Sequence, residues 1–323
     1  MRRLFAIGEA LIDFIPNQTD ILLKDVEGFT RQVGGAPCNV AATVAKLGGH
    51  AEMVTQLGED AFGDLIVSTL DEIGVGTKHV LRTSEAMTAL AFVSLTASGE
   101  RDFSFYRKPS ADMLYDKANI ETLDVHEDDI MHFCSVDLVE SEMREAHQTL
   151  IETFHRVGGT VVFDPNVRLP LWDSPEACQQ AICQFIPQAH VVKISDEELE
   201  FVTSKSNDKE AIDWLFQGQV EAVVYTKGAE GATLYLADGT ELSQGGFKVQ
   251  PIDTTGAGDA FIGAFIARLL EGDKQSLSDL LKMKGEDMLR FSNYVASVVT
   301  TQYGAISSIP ERENVEKGLT REE

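Results

Sequence analysis

An acid set behind a glycine pair and at the head of an apolar run is the arrangement in this chain best suited to chemistry: Asp253-Thr254-Thr255-Gly256-Ala257-Gly258-Asp259-Ala260-Phe261. Gly256 and Gly258 let the backbone take positive φ and aim several N–H groups at one point, which binds anions. The run from Ala260 to Leu270 is apolar almost all round and stops before Gly272, the pattern of a buried helix. Its positive N-terminal end faces the same point. A carboxylate repels a phosphate there unless it has a task that outweighs the repulsion. Taking a proton from an attacking hydroxyl during phosphoryl transfer is such a task for Asp259. Capping the helix is the competing use, and on the turn alone the two stand level. Spacing excludes two other glycine-rich motifs. A dinucleotide fingerprint needs a third glycine where Phe261 stands, and a Walker loop needs a Gly-Lys dipeptide that the chain lacks.

Other stretches offer ligand contacts. In Val33-Gly34-Gly35-Ala36-Pro37-Cys38-Asn39, the glycines let a ligand touch backbone, Pro37 suits a first helical turn, and Asn39 can both donate to and accept from a sugar hydroxyl. The alternative is a tightly packed helix start in which Asn39 satisfies local backbone. Asp13, after a short buried strand from Leu4 to Gly8, is a candidate hydroxyl clamp or else a solvated loop acid. Asp164-Pro165-Asn166-Val167-Arg168 puts an acid, an amide and a guanidinium directly after a strand, where Arg168 can meet phosphate or substrate oxygens. Lys193-Ile194-Ser195-Asp196-Glu197-Glu198 puts a cation at a strand end and acids in the first turn of a helix, a placement the helix dipole favours by itself.

The elements that must position these residues alternate. Glu52 to Gly58 reads as a strand, followed by a helix capped by Asp60. Later come a strand Ile130 to Cys134, a helix Ser141 to Val157, a strand Thr160 to Asp164, a helix Pro175 to Ile186 and a strand Val191 to Ile194. Ala222 to Thr226 and Ala232 to Leu236 form a hairpin around Lys227-Gly228-Ala229-Glu230-Gly231, and helical segments lie near Ser276 to Met283 and Glu286 to Thr300. One stretch stands outside the alternation: strand-like runs Thr88 to Thr96 and Arg101 to Arg107 flank the turn Ala97-Ser98-Gly99-Glu100. Phe103, Phe105 and Arg107 share one face of it, which suits core packing, a lid over a polar ligand, or a subunit interface.

With 323 residues and 43% hydrophobic content, the chain can fill one large α/β domain. A formal net charge of -25 makes the long-range field repel nucleic acid and anionic membranes, so neither is an expected partner. Cys38, Cys134, Cys178 and Cys183 have no disulfide-framework spacing and are expected as free thiols in the cytoplasm. Glu9 and Asp13 interrupt the apolar start before it reaches signal-peptide length, and the run Phe291 to Pro310 is too polar to span a bilayer.

Together these stretches resemble the ribokinase-like, or PfkB, family of carbohydrate kinases over essentially the whole chain. The signatures are Gly34-Gly35-Ala36-Pro37-Cys38-Asn39-Val40-Ala41 and Asp253 to Phe261; the run Phe103 to Asp112 and the loop Asp164 to Arg168 are most similar to bacterial fructokinases. The resemblance implies an α/β fold: a doubly wound, mostly parallel sheet flanked by helices, in one domain over residues 1–323, with a small β-sheet lid inserted at about 14–33 and 86–112. It implies ATP- and Mg²⁺-dependent phosphorylation of D-fructose, with Asp259 as base and Gly256, Ala257 and Gly258 as the anion hole. Asp13, Gly34, Gly35 and Asn39 would hold the sugar, Arg107 would close over it from the lid, and Arg168 would sit between sugar and phosphate. Lys193, Thr226, Gly228, Gly231 and Asn293 match nucleotide-binding positions. Glu198 matches the acid associated with magnesium, although Ser195 replaces the family's Asn three places before it. Asp253, Thr255, Val299, Gln302, Gly304 and Ser308 match a monovalent cation site, K⁺ in many members. The Phe103 and Phe105 face by itself suggests a homodimer through the lid. Another sugar or a ribosyl nucleoside such as aminoimidazole riboside is the alternative substrate, and a non-catalytic sugar- or nucleotide-sensing module is the alternative class.

Overall fold

The structure is a computed structural model and describes residues 2–18, 20–95, 101–272 and 276–321. The chain begins with β1 (Leu4–Ile7), β2 (Leu11–Pro16) and β3 (Phe29–Gly34), then α1 (Ala36–Lys46), β4 (Ala51–Gly58), α2 (Ala61–Ile73) and β5 (Gly76–Thr83). The pair β6 (Leu90–Leu95) and β7 (Arg101–Tyr106) precedes β8 (Ile130–Cys134), α3 (Glu142–Val157), β9 (Thr160–Asp164), α4 (Pro175–Phe185) and β10 (Val191–Ser195). Next come α5 (Asp196–Thr203), α6 (Asp208–Leu215), β11 (Ala222–Thr226), β12 (Ala232–Leu236) and β13 (Glu241–Gln244). The last helices are α7 (Ala257–Leu270), α8 (Leu277–Val299), α9 (Ala305–Ser308) and α10 (Arg312–Arg321).

Nine strands form one sheet in the order β13-β12-β11-β10-β9-β8-β1-β4-β5, with only β12 running against the rest. Strand order reverses between β1 and β8, so the crevice beyond their carboxyl ends is where a ligand fits in such a sheet. The interior strands are apolar on both faces because helices cover both. Leu4 and Ala6 join a core with α1, α7 and α8, whereas Phe5 and Ile7 join a second core with α3 and α4. In that second core Phe133 and Phe163 stack at 4.5 Å. Helices α1 and α7, which carry the two signature stretches, cross so closely that a Cβ on Gly263 would lie 2.6 Å from Thr43 Cβ.

A second sheet, β3-β2-β6-β7, covers the crevice. Pairing of Asp13 with Gln32 and Ala91, and of Ala91 with Phe105, puts Asp13, Gln32 and Phe105 on one face. The opposite face is aromatic: Phe14 stacks on Phe92 at 4.7 Å, and Phe29 and Tyr106 stand edge-on to Phe92 at 5.3 and 5.2 Å. The turn Ala97-Ser98-Gly99-Glu100 and the side chain of Phe103 lie outside what the structure describes.

Four elements differ from the sequence expectation. Asp13 lies within a strand, β2, and not in a loop. The segments on either side of Gly285 are one helix, α8, because Gly285 is a packing position: a Cβ there would meet Leu234 and Leu242 at 2.7 and 2.8 Å. Strand β5 and helix α6 carried mixed polar patterns and were not expected. Among the described residues no helix is long and apolar enough to cross a membrane, and the four cysteines are free thiols.

Candidate active site

The turn before α7 is fixed by one acid. Asp253 Oδ1 accepts from Thr255 N at 2.9 Å and from Thr255 Oγ1 at 2.6 Å, and Asp253 Oδ2 accepts from Gly304 N at 3.0 Å. Gly256 then takes φ 73° as the N-cap of α7, a left-handed conformation that glycine adopts without a Cβ penalty. Asp259 is therefore not the cap. Its Oδ2 accepts from Asn39 Nδ2 of α1 at 2.8 Å and its Oδ1 from Asn166 Nδ2, beyond β9, at 3.3 Å. Burial raises the Asp259 pKa above the ordinary carboxylate value, while the Asn39 hydrogen bond and the charges of Arg168 and Lys193 oppose that rise. The result is a carboxylate oriented by two amides at the positive end of a helix.

On the side under the lid, Asn39 is buried, and its Oδ1 has no protein partner among the described residues. It therefore has an acceptor to offer a ligand hydroxyl. Asp13 lies against Gly34 so closely that a Cβ on residue 34 would stand 2.0 Å from Asp13 Oδ2. That contact explains why the first of the paired glycines has no side chain. Arg107 is buried at the end of β7, where its guanidinium pairs with Asp112 and Asp137 and reaches Val136 O at 3.5 Å. Burial would lower its pKa, but the surrounding carboxylates win and raise it. Arg107 thus bolts the lid to the body. Glu9 lies beside this group, accepts from Ala36 N at 2.8 Å, and is pushed up to about 8 by burial and by Asp137.

The opposite side of the crevice carries the cation. Lys193 Nζ bonds both oxygens of buried Asp164 at 3.1 Å, and a Cβ on Gly258 would lie 3.3 Å from that same Nζ. Burial opposes the charge on Lys193, yet Asp164 and Glu198 outweigh it and raise its pKa. Burial pushes Asp164 up to about 7 against the pull of Lys193. Glu198 is committed as well: Oε1 accepts from Val167 N at 2.7 Å, and Oε2 accepts from Ser195 N and Oγ at 3.1 and 2.7 Å. Burial would raise its pKa, but Lys193 and these hydrogen bonds hold it below the ordinary value. Arg168, in the same loop, donates to Val167 O at 2.9 Å.

Thr226 pairs in register with Ser195, which puts the turn holding Gly228 and Gly231 at the same end of the sheet. Asn293 of α8 donates to Gln244 O and Gly245 O at 3.0 and 3.2 Å, so its amide ties β13 to that edge. The segments proposed for a monovalent cation come together: Ile252 N and Asp253 N donate to Thr300 O at 2.7 and 3.1 Å, near Val299 and Gln302, and Ser308 Oγ donates to Gly304 O at 2.5 Å. Among the described residues no group of three or more His, Cys, Asp or Glu side chains could hold a metal ion.

Asp13, Gly35, Asn39, Arg168, Lys193 and Asp259 all line one cavity of about 960 Å³. The sequence reading missed three contributors. Asn166 lay in a noted loop without an assigned task, and its positive φ of 43° is not visible in sequence. Glu9 and Asp137 had no local motif at all.

A glycine turn at a helix N-terminus, a buried carboxylate beside it and a small sheet across a doubly wound sheet suit a kinase for a small hydroxylated acceptor. Residues 1–312 match the model of the pfkB family carbohydrate kinases, and the chain belongs to that family. It is 37% identical over 321 residues to a probable fructokinase-4 of Arabidopsis thaliana, covering 97% of this chain and 95% of that protein. Among solved structures, a fructokinase of Vibrio cholerae with fructose, ADP and a calcium ion bound superposes with a TM-score of 0.88 at 32% identity, covering 98% of each chain. A fructokinase of Xylella fastidiosa with bound ATP superposes with a TM-score of 0.86 at 31% identity, over 99% of this chain and 98% of the other.

Proposed function

We propose that this chain is an ATP-dependent fructose kinase that forms fructose 6-phosphate by direct in-line transfer. The observation that carries the reading is the Asp259 carboxylate, oriented by Asn39 and Asn166 in the mouth of α7. The fructokinase relatives, and the fructose and ADP bound in one of them, support fructose as the acceptor.

In this reading Asp13, Gly34, Gly35 and Asn39 hold the sugar hydroxyls. Asp259 takes the proton of the terminal hydroxyl as its oxygen attacks the γ-phosphorus. The new O–P bond forms while the bond to the ADP oxygen breaks, and the departing electron pair leaves with ADP. The backbone N–H groups from Gly256 to Gly258 receive the charge that develops on the transferring group. Lys193 and Arg168 add positive charge on either side, while Thr226, Gly228, Gly231 and the Asn293 edge hold the nucleotide. Arg107 acts from beneath the lid, as its anchor. The residues present fit a Mg²⁺ ion carried by the nucleotide, because Mg²⁺ keeps several waters and takes phosphate oxygens. Glu198, with three donors already on its oxygens, would hold it through water, and the ion would neutralise phosphate charge. The Asp253, Thr255, Val299, Gln302, Gly304 and Ser308 segment would take K⁺ through carbonyl oxygens.

The same reading keeps residues 1–323 as one domain with its inserted lid and sets it in the cytoplasm, with neither nucleic acid nor membrane as partner. It includes a homodimer through the lid, for which the face of Phe14, Phe29, Phe92 and Tyr106 offers apolar area, whereas Phe105 is turned to the cavity. A monomeric mass by light scattering removes the dimer. The test of substrate is an ADP-release assay over hexoses, pentoses and nucleosides, including aminoimidazole riboside. Fructose should give the highest kcat/KM. A preference for ribose or a nucleoside overturns the fructose assignment, and ADP release indifferent to every sugar returns the chain to a sensing module.

A further inference from the structure

One contact joins the lid to the phosphoryl-transfer turn, and it involves a residue outside every motif. Gln32 lies on β3, directly across from Asp13 of β2, so the two side chains leave the sheet on the same face. The Gln32 amide reaches the loop before α9: a Cβ on Gly304 would lie 1.9 Å from Gln32 Oε1, 2.6 Å from its Cδ and 2.7 Å from its Nε2. The terminal amide therefore occupies the space that a side chain at 304 would fill. Gly304 also has φ 88°, which favours glycine a second time.

From Gly304 the connection continues through hydrogen bonds alone. Gly304 N donates to Asp253 Oδ2 at 3.0 Å, and Asp253 Oδ1 receives Thr255 N and Oγ1 at 2.9 and 2.6 Å. Thr255 precedes the Gly256 cap whose amides form the anion hole, and a Cβ on Gly256 would strike Ala305 Cβ at 2.5 Å. The 304–305 backbone thus lies between the Gln32 amide on one side and the Gly256 turn on the other. We propose that Gln32 is a positioning residue that couples the seating of the lid to the geometry of the Asp253–Gly258 turn through Gly304. The proposal rests on the kinase reading of that turn. A sugar held by Asp13 steadies β2 and β3, Gln32 then bears on Gly304, and the amides at 256–258 are aligned when an acceptor is present. Such a contact suits an enzyme that must transfer phosphate to sugar and not to water.

Three variants of the full chain test it. Gln32→Ala removes the amide, Gln32→Met keeps its length and packing, and Arg31→Ala changes an exposed neighbour on the other face of β3. In amide hydrogen exchange without ligands, Gln32→Ala should speed exchange at 253–258 and 300–308 by about fivefold or more at an unchanged urea midpoint, with Gln32→Met and Arg31→Ala close to the parent. In the ADP-release assay, Gln32→Ala should lower the ratio of sugar-stimulated to sugar-independent release by roughly tenfold, chiefly through kcat, with the sugar KM within about threefold. Gly304→Ala forces a side chain onto φ 88° and into the space of the Gln32 amide, which must swing aside, so it should lower the same stimulated-to-basal ratio as Gln32→Ala does. Unchanged exchange in Gln32→Ala overturns the coupling. If the parent protein shows no sugar-stimulated release while Gln32→Ala still loosens 253–258, the substrate reading fails and the mechanical link stands.

Discussion

Replacing Asp259 by Asn separates the acid's chemistry from its structural duties. Both carboxylate oxygens accept from side-chain amides, Asn39 Nδ2 at 2.8 Å and Asn166 Nδ2 at 3.3 Å. An Asn at 259 must turn its own NH₂ toward one of them, so one of the two bonds becomes donor against donor. Asn39 can relieve this by rotating its amide, because its Oδ1 is buried without a protein partner and can exchange places with Nδ2. The net structural loss is then about one hydrogen bond, ~1 kcal/mol, offset in part by removing a charge that burial disfavours. Loss of a general base in the transition state lowers turnover by roughly 10²–10⁴-fold, or about 2.7–5.4 kcal/mol of barrier. Steady-state ADP release with fructose, beside a urea melt, reads both quantities. Asp259→Asn should keep its melting midpoint and its sugar KM within a few-fold of the parent while kcat collapses. Turnover within about tenfold of the parent would refute the assignment of Asp259 as base.

Other outcomes follow from the same geometry. Asp259 must be ionised to accept a proton, so kcat falls as pH drops through its raised pKa; Asn39→Ala removes the hydrogen bond that opposes the rise, and the acid limb of the kcat–pH profile should move to higher pH. Gly256→Ala forces a side chain onto φ 73° and against Ala305 Cβ at 2.5 Å; kcat should fall at least tenfold, with about 1–3 kcal/mol lost in a denaturant titration. Lys193→Met strands buried Asp164 without its partner and should destabilise the protein by about 3–5 kcal/mol, most of it recovered when Asp164→Asn is added.

How much of this is legible without coordinates depends on whether the interactions are local. The Asp253–Phe261 turn was readable because its parts are neighbours: glycine conformation, helix dipole and acid act within one turn of chain. The interior strands of the main sheet were readable because burial on both faces leaves continuous apolar runs, whereas the edge strand β5 was not. The partner of the acid was not, since Asn39 and Asp259 are 220 residues apart and only the crossing of α1 and α7 joins them. Parity set the face of Arg107, but its partners Asp112 and Asp137 were not readable because they come from outside the strand. For Phe105 parity left core, lid and interface open, and pairing with Ala91 across β6 turns that face to the cavity. Gly285 read as a helix break because a glycine's role in close packing depends on what lies opposite it.

The position of β1 sets an order on how this molecule can assemble. β1 pairs with residues 51–54 on one side and 130–132 on the other, so during synthesis β1 keeps one edge open until residues 130–132 have followed it. The Asn39–Asp259 bond closes later still, when α7 docks across α1. Fragments that end before residue 257 can bury part of the sheet but cannot hold the acid against its amides. With Asp259 as the base, turnover waits for α7, and a synthesis interrupted between β1 and β8 leaves an open apolar strand edge without a half-active kinase.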